Sequence, residues 1–340
     1  MLKCIAFTGG KNVPSARFRV RQYINAVRPL GVEIREAYSF IGAYPPHQRW
    51  IRPLWGMLSV AGRMPDVLRS YAYDVTLLQR EMLSTFVTLE HLTRRPRVLD
   101  VDDAIWLHRR GNYAKHLATI CDGVICGNSF LADHFGQWNR NITIIPTAVD
   151  TERFYPALGT QKELLIGWIG SSSNFKYLYM IESALRAILE QVPHARLRII
   201  ADKAPAFKEA LMARTEFTRW SPENEARGVQ EMTVGIMPID DSMWARGKCS
   251  YKMLLYMACG IPVVVSPVGM NKEILDMDNV GLGAISEGDW VDSLVHLLES
   301  ESARVVMGLN SRRVVLERFS IHVLAPKLAN TLLAVAGGRR

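Results

Sequence analysis

The chain has 340 residues, of which 49% are hydrophobic and 22% charged. That length suggests about two domains and that apolar content an extensive core, which excludes a disordered tail, a disulfide-stapled mini-protein and a polytopic membrane protein. The formal charge of +8 is uneven: residues 1–156 hold 20 Lys/Arg against 13 Asp/Glu, a balance of +7, and residues 157–340 hold 21 against 20. The first half therefore suits an anionic partner, whether a phosphorylated substrate, an anionic membrane surface or nucleic acid.

In chain order, short apolar runs alternate with helical patterns, the signature of parallel βαβ units. Residues 2–8 (LKCIAFT) read as a buried strand, followed by the loop GGKNVPS and a helix from Ala16 to Leu30. Strands are predicted at 32–37, 73–78, 97–101, 122–126 and 142–145, with a helix at 128–137. PTAVDTERFYPALGTQ at 146–161 reads as an interdomain linker. A second series predicts strands at 163–169, 196–201, 233–237 and 261–265, helices at 175–191 and 250–258, and two or three closing helices to 336.

This divides the chain into an acceptor-binding domain over 1–150, a nucleotide-sugar domain over 151–320 and a last helix, 321–340, that crosses back to the first domain. Each main domain is a doubly wound α/β sheet, and such folds bind ligands at the carboxyl ends of their strands. The N-terminus, MLKCIAFTGG, lacks a signal peptide's apolar region, and no stretch reaches the ~18 apolar residues of a membrane span, so a cytoplasmic protein is expected. Cys4, Cys121, Cys126, Cys249 and Cys259 show no metal-ligand spacing. They read as reduced thiols, and no metal site is expected.

The most informative segment is RGKCSYKMLLYMACGIPVVVSPVGMNKEI at 246–274. Ser250 is placed to cap a buried helix, Gly260 to end it and Pro262 to stop it. Lys248 and Lys252, four residues apart, share a face at the start of that helix, where cations oppose the dipole. They are either two solvated lysines or a diphosphate clamp completed by helix amides.

This run resembles the donor segment of glycosyltransferase family 4, retaining enzymes of GT-B fold. Other pieces follow in the family's order: GG with PSARFR at 14–19, CDGVICGNSFLADHF at 121–135, IPTAVDTERFYP at 145–156, GWIGSSSNFKYL at 167–178 and VGIMPIDD at 234–241. The glycines at the first of these, Gly10 included, resemble the first glycine-rich loop of a subgroup with a Ser-x-Arg-x-Arg element. The resemblance implies transfer of a sugar from a nucleoside diphosphate sugar, UDP or GDP, to a hydroxyl of a glycan or lipid-linked glycan. It implies no further cofactor, and Lys176 would match the donor-phosphate lysine.

The chain departs from the family at two glutamates, whose positions hold Lys248 and Leu255. Leu255 cannot bind a ribose hydroxyl. Glu273 is the nearest spare carboxylate, or simply a first-turn acid. The amides of Val268, Gly269, Met270 and Asn271 suit the diphosphate, because Gly269 permits close approach and a helix begins there. Ser171, in the loop SSSNFK, is a donor-side candidate or part of a plain polar loop.

In the first half, the family often carries a His at the end of the strand at 97–101, and the aligned residue here is Asp102, with Asp103 beside it. The pair either orients an acceptor hydroxyl and supports oxocarbenium charge, or caps the next segment. His108 lies close by. Arg17 and Arg19 suit an anionic acceptor or phosphate, the alternative being a solvated basic face. Residues 44–69 mix Trp50, Leu54, Trp55, Met57 and Leu58 with Arg49, Arg52, Arg63 and Arg69. They form a candidate surface for an anionic membrane, or a helix whose aromatics pack on the sheet. No nucleic-acid motif is visible. Two rivals share the architecture: a catalytically degenerate binding or scaffold protein, and a nucleotide-sugar epimerase.

Overall fold

The computed structural model describes residues 1–42, 45–108, 111–157 and 163–338. Tyr44 of the basic aromatic segment and residues 158–161 of the linker lie outside the described residues. The chain divides into two compact units. The first holds Met1–Ala148, Gly247–Cys249 and the chain from Ile321 onward; the second holds Val149–Arg246 and Ser250–Ser320.

Six strands form the sheet of the first unit: β1 (Leu2–Thr8), β2 (Val32–Tyr38), β3 (Val75–Gln79), β4 (Arg97–Val101), β5 (Gly123–Cys126) and β6 (Ile142–Ile144). All pairings are parallel, in the order β2-β1-β3-β4-β5-β6. β3 and β4 are buried along their whole length, as a central parallel strand covered on both faces must be. The strand order reverses between β1 and β3, which makes their carboxyl ends the expected ligand crevice of this unit. The helix Ile321–Gly337 covers one face, packing Leu324, Leu328 and Leu332 with Cys4, Val75 and Ile125.

The single helix predicted over 16–30 is broken. It runs Pro14–Arg19, passes a 3-10 turn at Arg21–Tyr23, resumes at Ile24–Val27 and ends in a second 3-10 turn, Arg28–Leu30. The ladder stops at Val20 (φ −125°), directly after Arg19, whose side chain turns inward. Pro29 then removes an amide donor.

The second unit contains β7 (Leu164–Ile169), β8 (Ala195–Ala201), β9 (Thr215–Arg219), β10 (Val234–Met237), β11 (Val263–Val265) and β12 (Gly281–Gly283). Its order is β12-β11-β10-β7-β8-β9, again all parallel. Counted from β7, this is the Rossmann order 3-2-1-4-5-6, with its switch point between β7 and β10. Trp168, Leu197, Ile199, Ile236 and Val264 anchor the core. The sequence gives no warning of β9 or β12. One is a half-exposed edge strand rich in Thr, Glu and Arg, and the other is the three residues GLG. The helix predicted over 175–191 divides at Ile181 into Phe175–Met180 and Glu182–Gln191.

The end of the helix Tyr251–Ala258 is as predicted. Gly260 has φ +69°, its amide donates to Met257 O at 3.0 Å, and that of Ile261 donates to Tyr256 O at 3.0 Å. These two bonds are the Schellman closure that a left-handed glycine permits. Both units are thus doubly wound Rossmann-like sheets, the fold class expected.

Candidate functional site

In the second unit, the candidate residues gather at the carboxyl ends of β7 and β10. Lys252 stands in the first turn of the helix Tyr251–Ala258 and lies over Gly170, the residue after β7. A Cβ on Gly170 would sit 2.5 Å from Lys252 Cε and 2.7 Å from the Trp168 ring. The lysine ammonium is 5.5 Å from the centroid of Trp168, a cation–π contact that fixes its stem while leaving its donors directional. The loop after Gly170 is tied down by Asp202 at the end of β8. The Ser172 amide donates to Asp202 Oδ1 at 2.6 Å, and the Ser172 hydroxyl donates to Oδ2 at 2.8 Å. The Ser172 amide first, and its hydroxyl with it, hold the Asp202 carboxyl below the ordinary carboxylate range. Ser171 Oγ accepts from Asn174 Nδ2 at 2.9 Å. Lys176, on the helix that follows, reaches Asp240 beyond β10 at 3.7 Å.

The turn after β11 is built around Gly269. Its φ is +53° and ψ −132°, a region essentially restricted to glycine. A Cβ there would lie 2.9 Å from both Cα and O of Arg246. Of the four amides expected to face a diphosphate, two are engaged within the turn. Val268 N–H donates to Ser266 O at 2.8 Å, and Asn271 N–H donates to Val268 O at 3.2 Å. The amides of Gly269 and Met270 make no bond to another described residue. The Asn271 side chain is fully buried, donating to Ser266 O at 3.1 Å and accepting from Ser250 Oγ at 2.7 Å. It holds the turn together.

Ser250 therefore occupies the N-cap position, its carbonyl accepting from Leu254 N–H at 3.1 Å, but its side chain does not cap: it sits at φ +49° with its hydroxyl committed to Asn271. Lys248 precedes the helix and belongs with the first unit, where its carbonyl accepts from Asn128 Nδ2 at 3.0 Å. The two lysines accordingly do not share a helix face. Glu273 is exposed on the first turn of Met270–Leu275, and Leu255 is buried in the core.

In the first unit, Asp102 and Asp103 follow β4 as expected, and both meet a residue the sequence reading missed. Arg80 Nη1 lies 3.2 Å from Asp103 Oδ2 and 4.0 Å from Asp102 Oδ1. Arg80 is the first residue after β3 and has a left-handed backbone, φ +63°. Its position in LLQRE, directly beyond a predicted strand end, was the available signal. Gly10 lies in the turn after β1, where its carbonyl accepts from Arg21 Nη2 at 3.2 Å, and Arg21 in turn pairs with Glu36 at 2.7 Å. Arg17 is half-buried beside the Phe18 ring.

Arg19 is committed elsewhere. It is buried, with Nε 3.0 Å from Asp100 Oδ2, Nη2 2.5 Å from Oδ1, and Nη1 donating to Ile145 O at 2.8 Å. Burial works against its charge, and the Asp100 carboxylate more than offsets this, holding the guanidinium above its ordinary value. With its fork spent on Asp100, Arg19 has no donor face to offer an anionic acceptor. His108 is exposed just past the 3-10 turn Ile105–Leu107. No group of three or more His, Cys, Asp or Glu able to hold a metal occurs among the described residues.

Residues 163–300, which span the whole second-unit sheet, match the family described as Glycosyl transferases group 1. No curated protein matches the sequence. Among solved structures, sucrose-phosphate synthase from Thermosynechococcus elongatus aligns with a TM-score of 0.73 at 15% identity, over 99% of this chain and 100% of that one. Anabaena HepE in complex with UDP and glucose aligns with a TM-score of 0.70 at 15% identity, over 98% and 100%. WaaG, a glycosyltransferase involved in lipopolysaccharide biosynthesis, aligns with a TM-score of 0.69 at 12% identity, over 97% and 99%. The chain thus has the GT-B fold, and the family match lies within its second unit.

Proposed function

We propose that this protein moves a hexosyl or related sugar from a nucleoside diphosphate sugar to a hydroxyl acceptor, with retention of configuration and without a metal ion. The observation that carries the reading is the family match over 163–300, which covers both the switch point where Lys252 lies over Gly170 and the Gly269 turn after β11. Breaking the sugar–phosphate bond leaves charge on the departing diphosphate. Lys252 supplies a fixed cation, and the Gly269 and Met270 amides supply directed donors. Lys176 and Ser171 line the same strand ends. In the first unit, the Asp102–Asp103 pair held by Arg80 would orient the acceptor hydroxyl, with Arg17, on the helix Pro14–Arg19, as a further basic group for an anionic acceptor. HepE, which has been captured with UDP and glucose, supports UDP as the first donor base to test, with GDP next.

The buried Leu255 favours one second reading, a relative that has kept the fold and lost donor use. Thermal shift against UDP, GDP, ADP, CMP and dTDP decides between them. A ligand at 100 times its dissociation constant adds about 2.7 kcal/mol. We expect one diphosphate to raise the melting temperature and Lys252→Ala to abolish that rise. Absence of a shift with every nucleotide would favour the scaffold.

We also propose that the acceptor is lipid-linked or membrane-proximal and that the first unit rests on an anionic bilayer. The support is an inverted helix. Over Arg52–Arg69, the buried face carries Ser59, Arg63, Asp66 and Val67, while Leu54, Met57, Leu58, Met64 and Leu68 point outward, with Trp50 81% exposed just before them. Arg49, Arg52 and Arg69 are exposed alongside. An apolar stripe flanked by arginines suits the boundary between headgroups and acyl chains. No helix among the described residues is long and apolar enough to cross a membrane. Co-sedimentation with phosphatidylglycerol vesicles, absent with phosphatidylcholine vesicles and lost on Trp50→Ser with Leu54→Ser, is the expected result. Equal pelleting of the variant would sink this placement.

A further inference from the structure

The switch point of the first unit holds unmade hydrogen bonds that none of the preceding chemistry uses. A cavity of about 20 Å³ lies at the ends of β1 and β3, lined by Gly9, Val13, Ser15, Gln79, Arg80, Glu81 and Ser84; the Arg80 guanidinium is already paired with Asp103 at 3.2 Å. Gln79 is 3% exposed and Glu81 9%. Gln79 Nε2 and Glu81 Oε2 are both buried, and neither has a hydrogen-bond partner. Glu81 Oε1 is occupied, accepting from the Thr85 amide at 3.2 Å. The nearby carboxylate of Glu90 is fully used by the amides of Met82 and Thr88, at 2.7 and 2.5 Å. Among the described residues of β3 and the loop beyond it, these two are the buried side-chain polar atoms without a partner, and both belong to residues that line this cavity.

Buried polar groups left unpaired are costly, and native structures keep few of them. Here one orphan is a donor and the other an acceptor. A space of this size holds a single oxygen atom. A phosphate or carboxylate oxygen would accept from Gln79 but meet the Glu81 carboxylate. An ammonium would satisfy Glu81 but face the Gln79 N–H groups. A hydroxyl accepts from the one and donates to the other at once.

We propose that this cavity is a subsite for one hydroxyl group of a neutral sugar ligand, with Gln79 and Glu81 as its specificity-determining pair. The assignment of the ligand as a sugar rests on the transferase reading above; the selection of a neutral hydroxyl rests on the two orphan atoms. A water molecule occupies such a site between ligands, and a sugar hydroxyl displaces it by reproducing both bonds. A site built to bond a hydroxyl rejects the analogue that lacks it, because the buried partners are then left unpaired.

The test uses the full chain and a panel of methyl glycosides of glucose, galactose, mannose and N-acetylglucosamine, titrated by saturation-transfer-difference NMR. At least one should bind. Among monodeoxy analogues of that glycoside, removal of one particular hydroxyl should weaken binding at least tenfold on the unaltered protein. Glu81→Gln and Gln79→Met should each weaken the parent glycoside at least tenfold, and Gln79→Met should not lower the melting temperature, since it deletes an orphan. The nucleotide shift should survive in both variants. If that shift is missing from the wild type while the deoxy effect holds, the donor reading fails and the subsite stands. Absence of binding by any glycoside would overturn the subsite. So would a deoxy series with no loss beyond twofold, or variants that bind as the wild type does.

Discussion

The two units use one sheet architecture and treat charge in opposite ways. Among the described residues, the first unit buries seven charged side chains (Arg19, Arg63, Asp66, Glu81, Glu90, Arg97 and Asp100) and the second buries two, Arg198 and Glu225. At the first unit's strand ends, charges are locked into pairs and carbonyl contacts inside the protein. Arg63 shows the cost. It donates to the carbonyls of Ala37 and Thr8, its Nε has no partner, and burial pushes its pKa down to about 10. At the second unit's strand ends, Lys176 on its helix and Asp202 on its loop stay exposed, and the key turn is shaped by backbone. The first unit is thus framed by buried charges held by a carboxylate, carbonyls and amides, as Arg19, Arg63 and Glu90 are, the second by glycines that admit close approach.

Breaking that contrast at its strongest point is the largest effect expected. Asp100→Ala leaves Arg19 charged and buried without its partner, which costs about 3–5 kcal/mol. Hydrogen exchange should show the loss in β1, β3 and β4 first, with the second unit's sheet retaining its protection. Joint replacement by Arg19→Met and Asp100→Leu should recover much of it, because a well-packed apolar pair can match a buried ion pair. Equal loss of protection in both units would refute the division of labour.

The corresponding break in the second unit is Gly269→Ala. The imposed φ and ψ together with the Arg246 backbone predict a cost of about 1–3 kcal/mol, along with loss of the nucleotide shift. Binding retained at wild-type strength would show that the turn does not shape the donor site.

The contrast also explains what the sequence could convey. The central strands were legible because a doubly covered parallel strand must be largely apolar, as VTLLQ is apart from Thr76 and Gln79 and VGIM is throughout. The Schellman end at Gly260 was legible because only one residue type fits it cheaply. Backbone-built features of the second unit could therefore be read from glycine and proline positions. The buried pairs of the first unit could not. Nothing local separates Arg19, which is buried and bonds a residue 81 positions away, from Arg17, which is half-buried beside Phe18. The same holds for Arg80, whose partners Asp102 and Asp103 arrive through the strand order. Pairing across a parallel sheet is set by topology, and a spacing rule along one helix, as for Lys248 and Lys252, cannot see that a chain segment has left the helix.

The smallest effect sharpens the first unit's character through pH. His134 lies flat on Trp106, with centroids 3.6 Å apart and planes at 12°, and meets Trp138 edge-on at 4.8 Å. Its Nε2 is buried without a partner, and burial lowers its pKa below the ordinary 6.5. The folded state therefore favours the neutral ring, while the unfolded chain takes up the proton near 6.5. The stabilisation is complete above about pH 6.5 and is lost as pH falls through the lower folded value. Urea unfolding of the first unit should accordingly be steady near pH 7.5 and weaker at pH 5.5. His134→Phe keeps the aromatic stack and has no proton to gain, so its stability should fall less over that interval. An identical fall in the variant would place the pH sensitivity on other groups.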